Sequence, residues 1–182
     1  MYKSVKIKVE RLRAEYFAPY GHLIGSLEER KPDIVKGNHS SYEKHAYSEL
    51  TPDDRKDDPQ WYEADSNRTP LSEGLKRAHF AFHTDAGQSF FPVNGKPTVY
   101  IVGGVGEPLR PEEMRAFYGE GKVGVCLHMG VWHTMPMSVD GAELYTTIRG
   151  DADYHEHSVE VEFDMQQGLV IEPDLENFDP NA

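Results

Sequence analysis

Two histidines, His128 and His133, stand in the otherwise apolar run GVCLHMGVWHTMPM (residues 124–137), and two more, His79 and His83, bound the short run HFAFH. Imidazole is the side chain suited to moving a proton near neutral pH and, when neutral, to ligating a metal. A strand built only for a core has no use for it. Alternate residues of a strand face opposite sides of a sheet, so His79, Ala81 and His83 share one face and Phe80 and Phe82 the other. If the phenylalanines pack outward against a second layer, the histidines point into a cavity. At about 3.3 Å per residue, His79 and His83 are ~13 Å apart, too far to bind one metal ion together, so at most one serves a given site. The same alternation sets Cys126 and His128 on one face and Val123, Val125 and Leu127 on the other, before Gly130 turns the chain ahead of Trp132 and His133. Polar groups converge, on this reading, where an apolar core is expected.

The elements that must hold these side chains read as short strands. VKIKVE (5–10) alternates apolar and polar, and AEYFAPYGHLIG carries a Pro and a Gly that interrupt any helix before a short strand at 22–24. Residues 26–74 are rich in Asp, Pro, Asn, Ser and Lys and read as a long irregular loop or lid. Beyond Gly74 come AHFAFH, SFFPV, TVYIVGG, VGVCLH, ELYTTIR and SVEVEF, separated by Gly, Pro, Asn or Asp, the pattern of an all-β sandwich or barrel. The one helical signal is RPEEMRAFYGEG (110–121), with Pro111 in a first turn and Gly119 or Gly121 as a stop. Tyr100, Tyr118 and Tyr145 read as packing residues.

A chain of 182 residues makes one domain, 1–182. With 31 acidic against 19 basic side chains its field repels polyanions, which argues against nucleic acid and requires a local cation for any anionic small-molecule substrate. No apolar run approaches a membrane span and MYKSVKIKVERL lacks a signal peptide's apolar region, so the expected setting is the cytoplasm, without membrane contact. The single Cys126 has no cationic neighbour in sequence and reads as a small buried hydrophobe.

The stretch HTDAGQSFFPVNG, residues Gly130 to His133 and TTIRG together resemble the ureidoglycolate lyase family, and FAPYG and RAF at 115–117 extend the likeness over most of the chain outside 26–74. The resemblance implies a cupin-like β-barrel, here read with a short helix and a long irregular insertion, and the splitting of ureidoglycolate into glyoxylate and urea in allantoin degradation. Set beside cupins more broadly, Gln88 stands seven residues before a hairpin glycine, Gly95, where those proteins commonly carry a metal-ligand Glu, His83 matches a histidine just upstream, and His133 matches the second-motif histidine. That comparison implies a metal set of His83, Gln88 and His133, whose donors suit nickel, manganese or zinc, with nickel the ion the resemblance favours and no organic cofactor expected. For such a reaction the expected catalytic residues are His133 or His128 as base and His83 as acid or metal ligand, with substrate contacts from Gln88, which holds the amide, Trp132, and Arg149, which pairs the carboxylate. The chain departs from the family at Ala81-Phe82-His83-Thr84, at Met129 and at Ile148. Two positive charges are thereby missing, which leaves room for another cupin enzyme, an isomerase or hydrolase of a small acidic or sugar-like substrate, or for a non-catalytic ligand-binding cupin. Exposed edge strands of such a barrel favour a homodimer.

Overall fold

The structure is a computed structural model that describes residues 2–25, 34–36, 40–42, 60–64, 75–106, 108–148 and 156–181. Its strands are β1 (Lys3–Ile7), β2 (Val9–Arg11), β3 (Gly21–Ile24), β4 (Ile34–Lys36), β5 (Ser40–Tyr42), β6 (Gln60–Ala64), β7 (His79–His83) and β8 (Ser89–Pro92). They continue as β9 (Thr98–Val105), β10 (Arg115–Gly119), β11 (Gly124–Leu127), β12 (Val131–His133), β13 (Met137–Ser138), β14 (Leu144–Ile148), β15 (Ser158–Glu162) and β16 (Leu169–Pro173). Two short helices, α1 (Ala14–Phe17) and α2 (Phe163–Gln167), complete the set with two 3-10 turns.

Two sheets face each other as the walls of a β-barrel. One runs β15-β7-β12-β9-β10-β2 with β13 also on β9; the other runs β3-β11-β8-β14-β6. Between them lies an apolar layer in which Tyr100, Val102, Phe117 and Val131 of the first sheet meet Leu23, Phe90, Val125 and Leu127 of the second. The first sheet is buried on its outer face too: Phe80, Phe82, Val99, Ile101 and Trp132 pack against Ile7, Ile171 and Phe163, carried by the parallel β1–β16 pair and α2. Consecutive residues of β9 therefore alternate between two apolar layers, which is why TVYIV is continuously hydrophobic rather than amphipathic.

The expected helix over 110–121 is replaced by a 3-10 turn at Pro111–Glu113 and strand β10. Ala116 enters the outer layer and Phe117 the inner one, so a two-sided strand buries both, whereas a helix would turn one of them away. VKIKVE is split at Lys8 into β1 and β2, which join different sheets. Within 26–74 the described residues form strands rather than irregular chain: β4 pairs with β5, and β6 adds to the second sheet along β14 from Leu144↔Ala64 to Ile148↔Gln60. The remainder of the expected lid lies outside the described residues.

The end of the barrel beyond β8 is closed by tight turns. Gly121 has φ +83°, and a Cβ there would stand 2.2 Å from the carbonyl oxygen of Gly95, so both the conformation and the approach require glycine. Close by, the buried Glu143 carboxylate accepts from the Asn94 N–H (2.9 Å), the Asn94 amide (2.8 Å), the Lys96 N–H (2.8 Å) and the Leu144 N–H (2.7 Å), tying the 94–96 turn to the start of β14.

Candidate active site

β7 does what its alternation suggested: Phe80 and Phe82 go outward into a second layer, and His83 turns into the barrel. His79, at the exposed end of the strand, lies 3.5 Å from Glu160 and takes no part in the interior. β12 places Trp132 outward and His133 inward, with His133 in register with Ala81 of β7 and Val102 of β9. Both interior histidines are buried, and their ring centroids lie 5.2 Å apart.

Gln88, just before β8 and 4% exposed, joins them: its Oε1 lies 2.9 Å from Nε2 of His83 and 2.9 Å from Nε2 of His133. Its Nε2 is 2.9 Å from Oγ1 of Thr147, on β14. His83 Nδ1 is 2.9 Å from Oγ of Ser158, the residue opposite it on β15, and His133 Nδ1 is 2.9 Å from the carbonyl oxygen of Val131. The Phe90 ring, 5.9 Å from that of His133, walls one side. Ser158 had no signal in the sequence, and Thr147 appeared there only within TTIRG; the contacts of both are found only once strand register is known.

Burial holds the His133 pKa down at about 3, reinforced by the neighbouring His83 and His79 and opposed by the Val131 carbonyl, so the ring is neutral at neutral pH. A neutral His133 must spend its one N–H on Val131, which leaves the Nε2 lone pair facing the Gln88 oxygen. Two arrangements relieve that opposition. A half-turn of the carboxamide gives each ring one amide hydrogen and leaves its oxygen to accept from the Thr147 hydroxyl; alternatively, a cation seats among the three donors. The donors fit the second case: two imidazoles and an amide oxygen with 2.9 Å edges, close to the ~3 Å expected for adjacent ligands at about 2.1 Å from one ion. Among the described residues, no group of three or more His, Cys, Asp or Glu converges to hold a metal, so the amide is needed to complete any set.

Two of the expected site residues fall elsewhere. His128 and Cys126 share a face, as expected, but that face is the outer one of the second sheet, because Val125 and Leu127 fill the inner layer. There His128 packs edge-on against His22 at 5.0 Å, and its Nε2 lies 3.3 Å from the Ala18 carbonyl oxygen. Trp132 meets Phe82 edge-on at 4.7 Å and donates from Nε1 to the Gly106 carbonyl (2.7 Å), behind the wall that His133 faces. Arg149 lies outside the described residues.

The ureidoglycolate lyase family model matches residues 4–172. A ureidoglycolate lyase of Pseudomonas savastanoi pv. phaseolicola is 28% identical over 168 residues, 92% of this chain and 96% of that protein. One of Pseudomonas aeruginosa is 28% identical over 134 residues, 74% of this chain and 77% of its own. Among solved structures, the dTDP-6-deoxy-D-glucose-3,5-epimerase RmlC of Legionella pneumophila covers 88% of this chain and 95% of its own, with 11% identity and a TM-score of 0.40. With residues 4–172 matched by the family model, the chain belongs to the ureidoglycolate lyase family.

Proposed function

We propose that this protein is a ureidoglycolate lyase, releasing glyoxylate and urea. The observation that carries the reading is the convergence of His83 and His133 on Gln88 inside a barrel of that family. Ureidoglycolate holds a hydroxyl and a ureido nitrogen on one carbon. Its collapse moves one proton from that oxygen to that nitrogen while the C–N bond breaks and a carbonyl forms. His133 takes the hydroxyl proton at Nε2; burial that disfavours its charged form makes it pass the proton on rather than keep it. His83, oriented by Ser158, stands beside it to complete the transfer to the departing nitrogen, and Gln88 holds the ureido group or the two rings.

His83, Gln88 and His133 are also the residues that would hold a divalent ion such as nickel, manganese or zinc. A bound ion would supply Lewis-acid polarisation of the substrate hydroxyl. We assign the carboxylate to Arg149: in a chain of net charge −12, whose surface field is screened over about 8 Å, an anion is retained only by a cation within the pocket. Arg149→Met should weaken glyoxylate binding about tenfold to a hundredfold, and Arg149→Lys less, since it keeps the charge but loses the fork. Calorimetry with glyoxylate checks this, and equal affinity in wild type and Arg149→Met moves the anion site to a basic residue of 26–74.

The proposal extends to a cytoplasmic homodimer acting on a small anion. The cytoplasmic setting rests on the sequence reading, in which the single Cys126, buried here, can form no internal disulfide, and the homodimer is supported by edge strands β15 and β3, whose outer sides are unpaired among the described residues. Sedimentation gives the oligomeric state. Elemental analysis of the purified protein, followed by a glyoxylate-release assay before and after chelation, tests activity and metal together. Activity retained without metal assigns the chemistry to the histidines alone.

A further inference from the structure

Among the described residues, Tyr100 carries the one buried side-chain hydroxyl without a hydrogen-bond partner. It is 3% exposed and stands on the inner face of β9 between Thr98 and Val102, and Val102 is in register with His133. It shares the inner layer with Phe90, the ring that walls His133. The other inward phenol is already engaged, since Tyr145 and Thr98 hold each other at 2.9 Å. Burial, then Tyr145 and Glu143, keep the Tyr100 proton in place, so the group is a fixed donor. A buried donor left without an acceptor is costly in a folded chain, and an acceptor delivered by a ligand removes the cost.

Resting on the lyase reading, we propose that Tyr100 is a substrate-binding group whose hydroxyl donates to the ureido carbonyl oxygen of bound ureidoglycolate. Glu143 makes the Tyr100 end of the barrel electronegative, which disfavours the substrate carboxylate there and leaves that end to the uncharged ureido group. As the C–N bond breaks, the electron pair goes to the ureido nitrogen and is shared with its carbonyl oxygen. The hydroxyl proton travels through His133 and His83 to that nitrogen, and urea and glyoxylate separate. Tyr100 gives up no proton. Its hydrogen bond strengthens as negative charge grows on the oxygen it touches, an effect felt in the transition state more than in the ground state.

The test is Tyr100→Phe in the full chain. Expected are a fall in kcat of about tenfold to a hundredfold with KM nearly unchanged, weaker product inhibition by urea, unchanged inhibition by glyoxylate, and a Tm equal to or above wild type because an orphaned hydroxyl has gone. Wild-type kcat and urea inhibition in Tyr100→Phe would overturn the inference. So would a fall in kcat accompanied by a lower Tm, which would make the hydroxyl a structural group bonded to buried water. A wild-type protein that releases no glyoxylate from ureidoglycolate removes the lyase reading and this inference with it, whereas an active wild type with an unaffected variant removes this inference alone.

Discussion

Replacing His133 by alanine is expected to lower kcat for ureidoglycolate by about 10²- to 10⁴-fold, the range a positioned acid–base group supplies, while the barrel stays folded. The ring faces the interior between Gln88 and Phe90, so its loss removes polar contacts to Val131 and Gln88 and two ring contacts, to His83 and Phe90, rather than a keystone. The stability cost should be about 1–3 kcal/mol, chiefly the partners left unpaired. His133→Asn restores some of that bonding without restoring proton transfer, so it should be nearer wild type in Tm and as inactive as alanine. Circular dichroism and thermal melts beside the rate assay separate the two effects. Activity that follows folded fraction in both variants would make His133 a packing residue.

Glu143→Ala should lower stability by about 3–5 kcal/mol, seen as a Tm lowered by roughly 6–20 °C. Four N–H groups lose one shared acceptor, and with it the joint between the 94–96 turn and β14, the strand that carries Thr147 to Gln88. Burial pushes the Glu143 carboxyl up, but the bonds from Lys96, Asn94 and Leu144 more than offset this and leave it below the ordinary carboxylate range. A pKa lower in the folded than in the unfolded chain means that this stabilisation is complete above about pH 4.3 and is lost as pH falls through the folded value. Glu143→Gln should therefore melt below wild type at pH 7, and the gap should close under acid. A gap that is constant from pH 7 down to about pH 3 would show that the carboxylate charge is not what holds the turn.

The period of the strands was legible in the sequence, and the side they face was not. HFAFH and VGVCLH both alternate as read, yet His83 is inside and His128 outside, because the first sheet has apolar layers on both faces and the second buries Val125 and Leu127 inward. Alternation sorts residues into two sets; only the packing of a second layer says which set sees the cavity. The same double burial hid β10, whose Ala116 and Phe117 are adjacent and both buried, so that RPEEMRAFYGEG carried a helix's capping signals without a strand's alternation. Gln88 could be named from its spacing to Gly95, but Ser158, 75 residues from His83, could be found only through β7–β15 register. Trp132, adjacent to His133, illustrates the limit of proximity in sequence: one residue along a strand is the opposite side of the wall.

The most direct measurement is a single-turnover incubation of purified protein with ureidoglycolate, following glyoxylate and urea in the same sample for wild type and His133→Asn. The account predicts glyoxylate and urea in equal amounts from the wild type, at a rate well above the uncatalysed decay, and no acceleration from folded His133→Asn. Ammonia in place of urea, or equal acceleration by both proteins, would contradict it.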